Sequence, residues 1–165
     1  EGDFSKNINE VVKPTKLYLV DPWKFMEQYP DRWYGGFLGG GLVGDGYHSQ
    51  EDMDALYQKV KDTFKKDSNV EFLRMFSDDL PKHLLPNSLD WVYIDGDHSY
   101  DQVLKDLQLS YSLVKKGGQI TGDDWSKDND IDKAVTEFIS SVPQGSLSGQ
   151  LFPETRQFII KIENK

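Results

Sequence analysis

Short apolar runs alternate with amphipathic stretches along this chain. Leu17-Tyr-Leu-Val20 is a strand-like run that stops at Asp21-Pro22, and Val70-Glu-Phe-Leu-Arg-Met-Phe76 is a second that stops at Ser77-Asp78-Asp79. Trp91-Val-Tyr-Ile94 stops at Asp95, and Gln119-Ile-Thr121 stops at Gly122-Asp123-Asp124. Between these runs the period changes. Residues 51–66 carry Met53, Leu56, Tyr57, Val60 and Phe64 at spacings of three and four, and residues 101–114 carry Val103, Leu104, Leu107, Tyr111 and Val114 likewise. Both patterns predict helices with one apolar face, and a further helix is predicted over 131–141. Strands alternating with helices predict an α/β domain with a mostly parallel sheet. The tail departs from this rhythm. Leu147 to Phe152 and Gln157 to Ile162 are joined by a short turn through Pro153. They must pair antiparallel, because a parallel pair needs a longer crossover.

Composition narrows the function classes. A chain of 165 residues with 37% hydrophobic content is long enough for one domain with a real core. The net charge of −9 argues against nucleic acid as the main partner. No apolar run approaches the roughly 18 residues of a membrane span, and no signal-peptide pattern is visible, so the expectation is a cytoplasmic protein without a membrane partner. The absence of cysteine excludes disulfides and thiolate metal sites. Residues 29–49 form a long glycine- and aromatic-rich stretch. Its Gly35, Gly36, Gly39, Gly40 and Gly41 are not a phosphate loop, because no strand leads in and no Gly-Lys-Ser/Thr follows. Two expectations stand there, a lid over a small-molecule acceptor with His48 as a possible contact, and a disordered surface loop. A homodimer is the base-rate expectation for assembly.

Every predicted strand ends in an acid: Asp21, then Asp78 and Asp79, then Asp95 and Asp97, then Asp123 and Asp124. Aspartate is common in turns and at helix caps, which accounts for any one of these but poorly for all of them. In an open parallel sheet, ligands bind at the carboxyl ends of the strands. Asp21 stands where a nucleoside-binding domain places an acid to accept hydrogen bonds from ribose hydroxyls. Asp95, Asp123 and Asp124, on neighbouring strands, would repel one another unless a cation sits among them, and hard oxygen ligands favour Mg²⁺ or Ca²⁺ over zinc. The chain has only three histidines, which speaks against a multi-histidine zinc centre.

The run YIDGDHSYDQVLKDLQLSYSLVKKGGQITGDDW, from Tyr93 to Trp125, resembles the second half of a class I S-adenosylmethionine-dependent methyltransferase, and within that class the metal-dependent sugar O-methyltransferases of the macrocin type. Lys116-Gly117-Gly118 resembles the turn into that fold's fifth strand. The opening Glu1-Gly-Asp-Phe-Ser-Lys-Asn-Ile8 resembles the tail of its glycine-rich first loop and the following helix, and LYLVDPW, from Leu17 to Trp23, its second strand and ribose-binding acid. The resemblance implies a Rossmann-like sheet with helices on both faces, a closing antiparallel hairpin, and residues 1–165 as one methyltransferase-like domain. It also implies that the family's first, central strand precedes Glu1.

From the resemblance, the cofactor would be S-adenosylmethionine. Gly2, Asp3 and Ser5 would border its methionine end, Asp21 its ribose, and Phe76, Ser77 and Asp78 its adenine, with Asp95 also near the cofactor. Asp95, Asp123 and Asp124 would hold Mg²⁺ or another divalent cation. His98 stands three residues beyond Asp95, where catechol-type members carry a catalytic lysine, and is a general-base candidate alongside Asp95. Its alternative is a residue of the following helix's first turn. Asp97 reads as a helix cap or loop acid, and Trp23 and Trp125 as packing residues. Two other functions compete: a metal-dependent hydrolase built on Asp95, His98, Asp123 and Asp124, and a non-catalytic methyltransferase-like binding domain.

Overall fold

A computed structural model describes residues 2–26 and 49–165. The 29–49 lid expectation and His48 therefore lie outside the described residues, except for Ser49. The described chain forms two compact units, residues 1–77 and 78–165. The fold is α/β, with parallel pairing earlier in the chain and antiparallel pairing at its end. No described helix is long and apolar enough to cross a membrane.

The first unit contains helix α1 (Asp3–Val12), strand β1 (Leu17–Val20), helix α2 (Gln50–Thr63) and strand β2 (Val70–Leu73). Its two strands pair in parallel, Leu17 with Val70 through Val20 with Leu73. Helix α2 starts where Ser49 caps it: the Ser49 hydroxyl oxygen accepts from the Asp52 N–H at 3.1 Å and donates to the Asp52 carboxylate at 2.9 Å. Met53, Val60 and Phe64 are its buried stripe, with Trp23 and Leu73 buried in the same unit. An aromatic cluster binds the layer together. Tyr57 lies 4.8 Å from Trp23 and 6.1 Å, edge-on, from Phe72, and Phe64 meets Phe72 at 6.1 Å. Strand β2 ends at Leu73, earlier than the apolar run suggests. Arg74 leaves the strand, stacks on the Tyr57 ring at 4.9 Å, donates to the Trp23 carbonyl at 2.9 Å and pairs with Asp54.

The second unit opens within a 3₁₀ turn (Ser77–Lys82), so Ser77, Asp78 and Asp79 belong to that turn and not to a strand end. Strand β3 (Leu89–Ile94), helix α3 (Tyr100–Leu113), strand β4 (Val114–Gly122), helix α4 (Asp130–Ser141) and strands β5 (Leu147–Phe152) and β6 (Gln157–Ile162) follow. The sheet order is β3-β4-β6-β5, with β3 and β4 parallel and the last two pairings antiparallel. Phe158, Ile160 and Ile162 alternate along β6 and join Ile120, Val114, Leu107, Val103 and Phe138 in one buried cluster with α3 and α4. Both helices therefore cover the same face of this sheet. Among the described residues, no strand pairs β1 with β3.

Candidate functional site

The polar residues of the second unit gather because β3 and β4 run side by side. Ile94 pairs with Gly122, so the next residues, Asp95 and Asp123, leave the same edge of the sheet together. The Asp123 N–H donates to the Ile94 carbonyl at 3.1 Å, which extends the ladder by one residue. Asp124 then adopts a left-handed backbone, with a φ of 56°. Aspartate tolerates that conformation better than most residues. The Asn129 side chain donates to the Asp124 carbonyl at 2.9 Å and fixes the turn.

His98 bridges two of these acids. Its Nε2 lies 3.6 Å from Asp95 Oδ1 and its Nδ1 3.4 Å from Asp124 Oδ2. Both are ion-pair contacts longer than a short hydrogen bond. The contact with Asp95 does most to hold the imidazolium above the ordinary histidine range; partial burial opposes this, and Asp124 and Asp123 add to it. The other Asp124 oxygen is held by Arg156, whose Nη2 is 3.0 Å away. Arg156 sits in the β5–β6 turn with a left-handed φ of 57°, and its carbonyl accepts from the Trp125 N–H at 2.8 Å. Tyr93, two residues before Asp95, has its hydroxyl pushed up to about 12, mainly by burial and then by the charges of Asp123 and Asp95. Gln157 donates to that hydroxyl at 3.1 Å.

The other residues of this unit sort differently. Asp97 caps no helix: α3 has Ser99 as its N-cap, and Asp97 Oδ1 accepts from the Ser99 N–H at 2.9 Å. Asp97 is thus a loop acid that shapes the approach to the helix. Asp78 pairs with Lys105. Trp125 is buried, with its indole N–H donating to Asp132 at 3.0 Å, which makes it a packing residue.

In the first unit, Asp21 directly follows β1. One carboxylate oxygen accepts from the Trp23 N–H at 2.5 Å. Much of the Asp21 residue still meets solvent, yet protein atoms crowd its carboxyl. That crowding raises its pKa, while the Trp23 N–H pulls it down. Trp23 is buried beneath an open recess of about 420 Å³ that Pro22, Lys24, Gln50, Asp54 and Arg74 also line. Gly2, with a φ of 94°, turns the chain into α1, and Asp3 and Ser5 lie in that helix's first turn. Phe76 is exposed, with the Lys24 ammonium 5.9 Å from its ring centroid.

The donors at the β3–β4 edge suit a divalent cation in kind, being hard carboxylate oxygens. Asp95 and Asp124 are engaged instead by His98 and Arg156, and among the described residues no group of three or more His, Asp or Glu side chains forms a metal cage. Sequence reasoning missed Arg156 and Tyr93. The signal for Tyr93 was its position on β3 two residues before Asp95, the residue that directly follows the strand. Nothing local could have pointed to Arg156, which reaches Asp124 from the turn of a distant hairpin.

Residues 4–125 match a family model described as a methyltransferase domain. An uncharacterized protein of Acanthamoeba polyphaga mimivirus is 36% identical over 94 residues, covering 52% of this chain and 42% of that protein. The chain thus matches about two fifths of that relative's length. Among solved structures, the O-methyltransferase NovP superposes with a TM-score of 0.57 at 17% identity, covering 97% of this chain and 66% of NovP. The O-methyltransferase TomG from Streptomyces achromogenes, solved with S-adenosylmethionine, gives 0.57 at 11% identity, over 99% of this chain and 70% of TomG. At such identities these likenesses establish the Rossmann-like fold.

Proposed function

Since this chain belongs to the methyltransferase-domain family, we propose that it serves S-adenosylmethionine-dependent O-methylation of a small hydroxylated acceptor such as a sugar or glycoside. One observation carries this reading: His98 lies between Asp95 and Asp124 at the carboxyl ends of two parallel strands, where a base can take an acceptor's proton. S-adenosylmethionine supplies a methyl group on a sulfonium. With it bound, the acceptor oxygen would form a bond to that carbon as the carbon–sulfur bond broke, with the electron pair left on sulfur. His98 takes the hydroxyl proton, and Asp95 and Asp124 stabilise the resulting imidazolium. Asp21 accepts from ribose hydroxyls, Gly2, Asp3 and Ser5 flank the methionine end, and Phe76, Ser77 and Asp78 flank the adenine.

The finer reading, a macrocin-type enzyme with cation assistance, is supported by the hard oxygen donors of Asp95, Asp123 and Asp124 on adjacent strand ends. Bound there, Mg²⁺ would acidify the acceptor hydroxyl, and Asp124 would have to exchange its His98 and Arg156 partners for the cation. Calorimetry with S-adenosylmethionine and with its demethylated product, each with and without Mg²⁺, tests both levels. Cofactor binding that Mg²⁺ leaves unchanged would keep the coarser reading and count against the finer one. Absence of any cofactor binding by the full-length protein would sink both.

A further inference from the structure

The outer edge of the second unit's sheet carries a feature that the methyl-transfer chemistry does not use. Strand β5 pairs only with β6, leaving its other edge open among the described residues. Natural edge strands are usually protected by charges, proline or a bulge. Here Leu147-Ser-Gly-Gln-Leu-Phe152 contains no charge and no proline, and its register with β6 is continuous. Residues 138–153 contain no charged side chain at all, in a chain that is 28% charged with a net charge of −9. Two copies can approach along this stretch without the repulsion that separates them elsewhere.

The hydrogen-bond phase shows what the edge offers. The Glu163 N–H donates to the Ser146 carbonyl at 2.8 Å, in register with the β5–β6 ladder. Ser148, Gln150 and Phe152 therefore also turn their backbone groups toward β6. The N–H and C=O groups of Leu147, Gly149 and Leu151 point to the open edge. These three positions are symmetric about Gly149. Their side-chain face is also apolar: Leu151 is 43% exposed and Ile139 41% exposed, with the Ile139 Cδ1 lying 3.9 Å from where a Gly149 side chain would begin.

We propose that β5 pairs antiparallel with β5 of a second copy of this chain about a two-fold axis through Gly149. Gly149 then faces Gly149 of the partner subunit, and Leu147 of each copy faces Leu151 of the other. The outward N–H groups of both strands all find carbonyl acceptors. The ladder ends where Pro153 has no N–H to give. Leu151 and Ile139 of both copies close an apolar strip along the new seam, and the two four-stranded sheets become one continuous sheet.

Within this chain an introduced cysteine has no other cysteine to pair with. Sedimentation velocity on the full-length protein, from nanomolar to high-micromolar concentration, should show a reversible dimer. Leu151→Lys should raise its dissociation constant by about tenfold, since a two-fold interface carries every substitution twice. Gly149→Cys, where a side chain meets only ordinary contacts, should give a disulfide dimer under mild oxidation. Facing hydrogen-bonded residues have Cα atoms about 5.5 Å apart, within the reach of a disulfide. Leu85→Cys, 76% exposed elsewhere on the same unit, should stay monomeric on a denaturing gel. A protein monomeric throughout the series overturns the proposal. So does a dimer that neither weakens with Leu151→Lys nor cross-links through position 149. If Leu151→Lys fails to fold, the cross-link at 149 decides alone. Association is read without any turnover, so its failure would leave the proposed activity untouched.

Discussion

Replacing Gly122 by alanine should damage this protein out of proportion to the one methyl group added. The new Cβ would stand 2.4 Å from both Cε1 and Cζ of Phe158 and 3.0 Å from the Ile94 carbonyl oxygen. Carbon atoms rest at about 3.5–4.0 Å, so the ring must retreat by roughly 1 Å. It has little room to do so, being 1% exposed inside the cluster of Ile120, Ile160 and Phe138. Overpacking of this kind costs about 1–3 kcal/mol, and the loss of glycine's extra chain entropy returns about 0.5–1 kcal/mol. A net loss of about 1 kcal/mol should lower the melting temperature by roughly 2–4 °C in a domain of this size. Thermal melts followed by circular dichroism measure it. Gly149→Ala is the internal standard, since its new Cβ would lie 3.5 Å from the nearest atom and only the entropy gain of about 0.5–1 kcal/mol remains, so its melt should not fall. Phe158→Leu should partly rescue Gly122→Ala, giving a coupling energy between the two sites. Because Asp123 follows Gly122 directly, methyl transfer assayed well below the melting temperature should fall as well. A Gly122→Ala protein that melts with the wild type would refute the packing argument, because the ring would then have had space.

His98 as general base must be neutral to act, and Asp95 holds it protonated to higher pH than an ordinary histidine. The acid limb of kcat/KM should therefore lie above the usual value of about 6.5, and Asp95→Asn should move it toward lower pH; a limb that stays in place removes His98 from the mechanism. The same coupling has a stability side. A histidine whose folded pKa is raised stabilises the fold below its unfolded pKa, and that contribution disappears as pH rises through the folded value. His98→Ala should therefore narrow the difference in melting temperature between pH 6 and pH 8. Asp21→Asn should weaken S-adenosylmethionine binding in calorimetry by about tenfold, as expected when an ionised acceptor loses its charge; an unchanged affinity would end the ribose assignment.

Much of this arrangement is legible in the residues. The apolar period locates α2, α3, α4 and β1 closely, since each is either a short uninterrupted run or a clear three-four stripe, while β5 and β6 are bounded by the turn through Pro153. The departures have local causes. The apolar run of β2 continues to Phe76 because Arg74 interrupts it by only one residue, and nothing in the sequence announces the stacking of Arg74 on Tyr57. Strand β4 begins at Val114, well before the apolar run, and follows α3 with no intervening turn. Lys116, Gly117 and Gly118 look like a turn, and although β4 runs through them its register with β3 breaks between Val114 and Gln119, where Gly117 takes a left-handed φ of 82°. At the site, the convergence of Asp95 with Asp123 follows from two adjacent strands ending alike. The partner of Asp124 does not follow, because the hairpin that brings Arg156 back to it is a long-range product of the fold.

That long-range contact competes directly with the cation proposed above. The Arg156 side chain is 58% exposed. Its pairing with Asp124 therefore adds little to stability, about 0–1 kcal/mol, and Arg156→Ala should leave the melt nearly unchanged. Its effect on a divalent cation should be larger, because the cation both displaces that pairing and meets the repulsion of the guanidinium charge. The guanidinium nitrogen lies 3.0 Å from the carboxylate oxygen. A unit charge at that separation is worth about 1.4 kcal/mol even with the full screening of water, which is the appropriate limit for so exposed a side chain. Arg156→Ala should therefore tighten Mg²⁺ binding by roughly tenfold in calorimetry. Arg156→Lys, which keeps the charge, should tighten it much less. If Arg156→Ala binds Mg²⁺ no better than the wild type, the cation does not use Asp124. The Asp95, His98 and Asp124 group would then have to carry the acid–base chemistry alone.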